Sequence, residues 1–311
     1  MEIFGFLFGF LILLIGFGFF AYALSFALSR YLNFLALIYI TFNKKPFLKH
    51  FYLRKKTLPN YAQQTLLKHN LYYSKLSPSD RLVFEHRVVK FIEDKKFIGL
   101  EGLTVTHEMK VILAGVAVKL TFGLKRYKLS IVKAIYIFPD IYLSKLSKKW
   151  HKGEFNPSKK YVALSWKHAL EGVVDVSDNL NLALHEFAHA LVMESKIESH
   201  DVYFAYNFSK IDTIIKRPEV FSAISKNPYF RDYAQTNRLE FYSVAIECFF
   251  ETPEEFTKQL PKLYQSFCLL LNNDSLVVYN SVHPKVSLAQ YKKKSQSTVK
   301  KDEFGYKKSY K

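Results

Sequence analysis

From Ile3 to Ser29 the chain runs for 27 residues without one charged side chain. Phe, Leu, Ile, Ala and Gly dominate the run. A helix rises about 1.5 Å per residue, so this stretch reaches about 40 Å, against roughly 30 Å of bilayer hydrocarbon. Such a run fits a tilted membrane helix or a secretory signal. Ala21-Tyr22-Ala23 has the form of a cleavage site. Three features favour an uncleaved anchor. The extreme N-terminus carries Glu2 and no Lys or Arg. The run is longer than a signal core. The chain also stays apolar past any cut, from Tyr31 to Phe42. That second stretch is too short to span alone. It can extend the first helix, lie in the interface, or form a hairpin around Arg30.

Charge sets the orientation. Arg30, Lys44, Lys45, Lys49, Arg54, Lys55 and Lys56 come after the run, with no acid among them up to Asn60. A basic flank on this side predicts that the chain beyond Arg30 is cytoplasmic. The cluster can also bind anionic headgroups, or be a plain solvated linker. The formal net charge of +18 suits anionic surfaces in general. Nine lysines lie from Lys285 to Lys311, so much of the charge sits in a tail expected to be disordered. No nucleic-acid-binding module accompanies it, and no nucleic-acid partner is expected. Cys248 and Cys268 are too few for a disulfide framework or a Cys-rich zinc cluster.

The expected layout is a transmembrane helix over 1–30, an apolar and basic juxtamembrane segment over 31–56, a folded domain over 57–284 and a basic tail over 285–311. Ser77-Pro78-Ser79-Asp80 predicts a helix start, with Ser77 as cap. The pattern from Leu82 to Ile92 reads as a buried helix, and Met109–Leu120 as another apolar, helical segment. Ala134–Ile141 and Tyr161–Trp166 read as strands. Asp178 or Asn179 is expected to cap the next helix, Asn237 another, and Thr252 a third.

His185-Glu186-Phe187-Ala188-His189 is an H-E-x-x-H sequence. On a helix, residues four apart share a side, so both imidazoles can reach one metal ion. Glu186 sits one residue along, where its carboxylate can reach a water on that ion. Leu184, Phe187, Ala188 and Leu191 embed the motif in an apolar helix, where polar groups are costly unless bonded or liganded. A surface helix with two exposed histidines is the bland alternative. A catalytic zinc site needs a third protein ligand. His200 lacks the metzincin spacing. Glu240 and Glu247 lie seven apart on one helix face. Glu240 can instead close a capping box with Asn237, and Glu247 can be a supporting carboxylate. Spacing leaves these two candidates nearly even.

The segments "SPSDRLVFEHRVVKFIEDKKFIGLEGLTVTHEMKV", "LTFGL", "VALSWKHALEGVVDVSDNLNLALHEFAHAL" and "YFRDYAQTNRLEFYSVAIECFFETPEEF" resemble the Mlc titration factor A family of zinc-dependent peptidases. The resemblance covers most of the chain after the apolar run. It implies an α+β, zincin-like gluzincin domain, mostly helical with a small sheet, and an active site similar to that of anthrax lethal factor. It implies Zn²⁺ held by His185, His189 and Glu240, with Glu186 as general base and Tyr233 facing the reacting carbonyl. The family is named for sequestering a transcriptional regulator. Regulator binding with weak or no hydrolysis is therefore the alternative to peptidase activity on a peptide or protein substrate. Val192 stands where the family often has an acid, so a supporting carboxylate on the motif helix is expected to be missing. By its order in the chain, the strand near Val162–Trp166 is expected to offer an edge to an extended peptide.

The charge asymmetry makes a direct prediction. A reporter fused after Lys311 should be active in the cytoplasm. Activity only outside it, or a mature chain starting near Phe26, would overturn the anchored, cytoplasm-facing reading.

Overall fold

The computed structural model describes residues 2–46, 52–144, 147–197 and 201–280. The expected basic tail and His200 lie outside them. The chain divides into two units, 1–47 and 48–311.

The first unit is helix α1, Glu2–Asn43. It continues through Arg30 without a break, so the stretch Tyr31–Phe42 extends the first helix. Phe4–Asn43 has a mean hydropathy of 2.4 in its most apolar window. By length and composition this helix is long and apolar enough to cross a membrane, a test that a signal sequence also passes.

The second unit is mostly helical with a small sheet. It opens with α2 (Asn60–His69), α3 (Leu71–Lys75) and α4 (Pro78–Asp94). Strand β1 (Lys96–Gly99), helix α5 (His107–Thr121) and strand β2 (Ala134–Phe138) come next. A two-stranded hairpin, β3 (Tyr142–Leu143) and β4 (Trp150–His151), leads to β5 (Gly153–Asn156) and β6 (Tyr161–Ser165). Then come α6 (Trp166–Val174), α7 (Leu182–Glu194), α8 (Val202–Ile215) and α9 (Pro218–Ser225). A 3₁₀ turn at Asp232–Gln235 precedes α10 (Arg238–Glu251), α11 (Pro253–Gln259), α12 (Pro261–Leu271) and α13 (Ser275–Asn280).

The four-stranded sheet has the order β1-β2-β6-β5. β1, β2 and β6 run parallel, and β5 is antiparallel to β6. β6 is therefore paired on both sides. The edge expected near Val162–Trp166 belongs to β5 instead, because β5 takes the outer position beside β6.

Two predicted caps hold. Ser77 Oγ accepts from the Asp80 N–H at 3.2 Å and donates to Asp80 Oδ2 at 2.8 Å. Asn237 Oδ1 accepts from the Leu239 and Glu240 N–H groups. The cap of α7 is Asn181, whose Oδ1 accepts from the Leu184 N–H at 3.0 Å. Neither Asp178 nor Asn179 fills that position. Asp178 turns the loop by accepting from the Leu180 N–H, and Asn179 is left-handed at φ 56°. Thr252 precedes α11 as expected, but its hydroxyl donates to Asn179 Oδ1 and caps nothing.

α7 is buried along most of its length because it is covered on every side. It packs on α5, α6, α10, β5 and β6. Phe187 is fully buried and meets Phe91 edge to face at 6.0 Å. The two cysteines are free, Cys248 buried and Cys268 half-buried.

Truncating a fully buried Phe removes transfer energy and leaves a cavity. Phe187→Ala should lower unfolding free energy by about 3–5 kcal/mol, read from the denaturant midpoint. An unchanged midpoint would mean that α7 is not the central helix.

Candidate metal centre

The H-E-x-x-H sequence occupies the middle of α7, with His185, Glu186 and His189 all buried. The two imidazoles lie side by side, with centroids 4.6 Å apart and planes nearly perpendicular. α10 lies alongside and carries Glu240 in its first turn. Glu240 Oε2 is 3.0 Å from His185 Nε2 and 3.3 Å from His189 Nε2. One ligand atom from each of the three residues falls within 4.8 Å of the others. Donors at about 2.0–2.1 Å from a tetrahedral ion lie about 3.3 Å apart, so this spacing fits a metal. Glu240 occupies capping-box spacing after Asn237, yet its carboxylate lies against the imidazoles.

The other ring nitrogens are also engaged. His185 Nδ1 is 2.6 Å from Glu247 Oε1, and His189 Nδ1 is 2.9 Å from Ser243 Oγ. Both ring nitrogens of His185 thus face a carboxylate, Nδ1 toward Glu247 and Nε2 toward Glu240, and a metal ion held by Nε2 would take the place of the proton there. Metal-bound histidines characteristically carry such outer partners, which fix tautomer and ring orientation. Glu247 thus stands behind His185, outside the three-residue cluster, and the near-even choice between the two glutamates separates cleanly in space. It also supplies the supporting carboxylate that Val192 does not, from α10 instead of α7.

Glu247 is fully buried, yet each of its oxygens has donors. Arg231 Nη2 donates to Oε1 at 2.7 Å and Nη1 to Oε2 at 3.1 Å. The Asn181 N–H donates to Oε2 at 2.9 Å. Arg231 is tied further to the Asn179 carbonyl.

The electrostatics come from burial and these partners. Burial disfavours a charged His185, but the carboxylates of Glu240 and Glu247 outweigh it and raise its pKa to about 9. Burial pushes the Glu240 carboxyl up, but hydrogen bonds from His185 and His189 hold it down at about 2. Burial raises Glu186 above the usual carboxylate range, against the pull of both imidazoles. Tyr233 lies in the 3₁₀ turn, half exposed, with its ring centroid 5.9 Å from His185. Burial, then the charges of Glu240 and Glu186, raise its hydroxyl.

Edge strand β5 crosses the start of α7. A Cβ built on Gly153 would lie 2.7 Å from Glu186 Oε1 and 2.7 Å from Leu182 Cδ1, so a side chain there would push the Glu186 carboxylate out of its place. Sequence reasoning missed Gly153, Arg231, Asn181 and Ser243. Ser243 was within reach, since it lies three residues after Glu240 on the face shared with Glu247.

The donor set of two imidazoles and one carboxylate suits a divalent transition metal. Comparison with known proteins agrees. The family model described as glucose-regulated metallo-peptidase M90 matches residues 44–270. An uncharacterised protein of Synechocystis is 26% identical over 239 residues, covering 68% of this chain and 84% of the relative. Mlc titration factor A of Klebsiella pneumoniae is 24% identical over 238 residues, covering 65% and 82%. With the family model matched over most of its length, and the His-His-Glu cluster inside the matched region, the chain belongs to the glucose-regulated metallo-peptidase M90 family.

Proposed function

We propose that the chain is a zinc-dependent metallopeptidase of zincin-like, gluzincin type, carried on a membrane anchor with its catalytic domain in the cytoplasm. The observation that carries the reading is the convergence of His185 Nε2, His189 Nε2 and Glu240 Oε2, each histidine backed by its own hydrogen-bond partner. His185, His189 and Glu240 would hold the ion. When bound, zinc supplies a Lewis acid that acidifies water and polarises a carbonyl.

The chain's own residues do the rest. Glu186 lies beside the cluster, not behind it, and takes a proton from water before returning it to the leaving amine. Its burial raises its basicity, as this task requires. The Tyr233 hydroxyl donates to the oxygen that gains charge. A peptide substrate would add to the β5 edge, antiparallel sheet hydrogen bonds holding it near Glu186. The seven basic residues after the apolar run support the anchored, cytoplasm-facing placement.

A second reading has one observation in its favour. A relative at 24% identity is named Mlc titration factor A. The name points to a regulator as partner, and on this reading the chain binds such a regulator with hydrolysis weak or absent.

Metal analysis and peptide cleavage together test the proposal. The purified chain should carry about one zinc. Glu240→Gln should lose it. Glu247→Gln should keep a site, weakened roughly 10–100-fold. Glu186→Gln should keep zinc while cleavage falls by about 10²–10⁴. Zinc lost with Glu247→Gln but kept with Glu240→Gln would reverse the ligand assignment. A zinc-loaded wild type that cleaves no peptide in a broad library, yet binds a regulator tightly, would favour the second reading.

A further inference from the structure

One face of α10 holds a row of polar side chains: Glu240, Ser243, Glu247 and Glu251. Offsets of three, seven and eleven keep them in line. The first three meet the histidines of α7. Glu251 lies beyond them, and its Oε1 accepts from Asn181 Nδ2 at 3.0 Å.

Asn181 is 1% exposed, and its hydrogen-bonding groups are used in several directions. Nδ2 also donates to the Gly172 carbonyl at 2.9 Å. Oδ1 caps α7 at Leu184, and the backbone N–H donates to Glu247 Oε2. One residue thus fixes the first turn of the motif helix and one oxygen of the carboxylate behind His185. A rotation of its amide would release the cap on Leu184, and the bond to Glu247 comes from the backbone N–H of the same residue.

Glu251 is itself 2% exposed, and its Oε2 has no hydrogen-bond partner among the described residues. It lines a small cavity with Lys119, Asn70, Asn181 and Tyr279. The cavity has about 10 Å³ of free space, enough for about one water. Burial raises the Glu251 carboxyl above the usual carboxylate range, against the opposing charge of Lys119. A contact needed only for stability would do as well, or better, with apolar groups of the same volume, because buried charges bear a desolvation penalty. What the carboxylate adds is direction: an acceptor that points the Asn181 amide one way.

We propose that Glu251 is a positioning residue for the metal centre, acting through Asn181 to hold the start of α7 and the Glu247 carboxylate in register with His185. The inference rests on the metallopeptidase reading and deepens it.

Zinc affinity of the full-length chain in detergent, measured by competition with a chromogenic chelator, tests it. Each variant is compared at a temperature where circular dichroism reports a folded chain. Asn181→Ser keeps a capping oxygen for α7 but loses the amide that reaches Glu251. Glu251→Ala combined with Lys119→Met removes both titratable groups that line the cavity together. Each should weaken zinc binding by roughly 10–100-fold. Glu251→Gln keeps an acceptor for Asn181 and should bind as the wild type does. Combining all three substitutions should weaken binding no more than the larger single effect, because the two act along one path. Variants that bind zinc like the wild type but melt earlier would overturn the proposal and leave Glu251 a packing residue. Losses that add in the combined variant would overturn it too. Asn181→Ser decides the question alone should the double variant not fold. A wild type that takes up no zinc would overturn the metallopeptidase reading itself, whereas a tight wild type with unaffected variants overturns this inference only.

Discussion

A carboxylate with no exposure to water holds the candidate site together. Glu247 joins α10 to Arg231 just before the 3₁₀ turn, to the Asn181 N–H at the start of α7, and to His185 Nδ1. A buried charge persists only where its partners are complete, and removing one partner typically costs about 3–5 kcal/mol. Each partner is therefore bound to its place. The bond to Nδ1 turns the opposite nitrogen of His185 toward His189 and Glu240. The bond to Asn181 ties α7 to α10 at the end away from Glu240. The geometry of the three-residue cluster depends on this one buried group.

Around it, the fold supplies cover. α7 is wrapped by α5, α6, α10 and two strands, so its only polar residues in mid-helix are those with assigned partners or a place at the cluster. β5 closes one side and comes so near Glu186 that a side chain on Gly153 would displace its carboxylate. The histidines, Glu240, Glu247, Ser243 and Arg231 all lie in the second of the two units, apart from the apolar helix α1.

Much of this was legible in the residues. The H-E-x-x-H spacing works through helix geometry alone, and the buried α7, the cap at Asn237 and the parallel strands β2 and β6 carry strong local patterns. The gaps have physical causes. Asp178, Asn179 and Asn181 are all good capping residues, and only the turn at Asn179 decides among them. Glu240 and Glu247 share a helix face, so the choice between ligand and support depends on how α10 is docked against α7. β5 is four residues long and lacks clear alternation. Without it, β6 looked like an edge. Arg231 sits in no periodic pattern, and only its two bonds to a buried carboxylate reveal its part.

The central claim is that His185, His189 and Glu240 form one metal site, with Glu247 behind it. Anomalous scattering at the zinc edge, from crystals of the zinc-loaded protein, tests this directly. The expected result is a single strong peak bonded to His185 Nε2, His189 Nε2 and the Glu240 carboxylate, with Glu247 still on His185 Nδ1. A peak bonded to Glu247, or one away from α7, would contradict it.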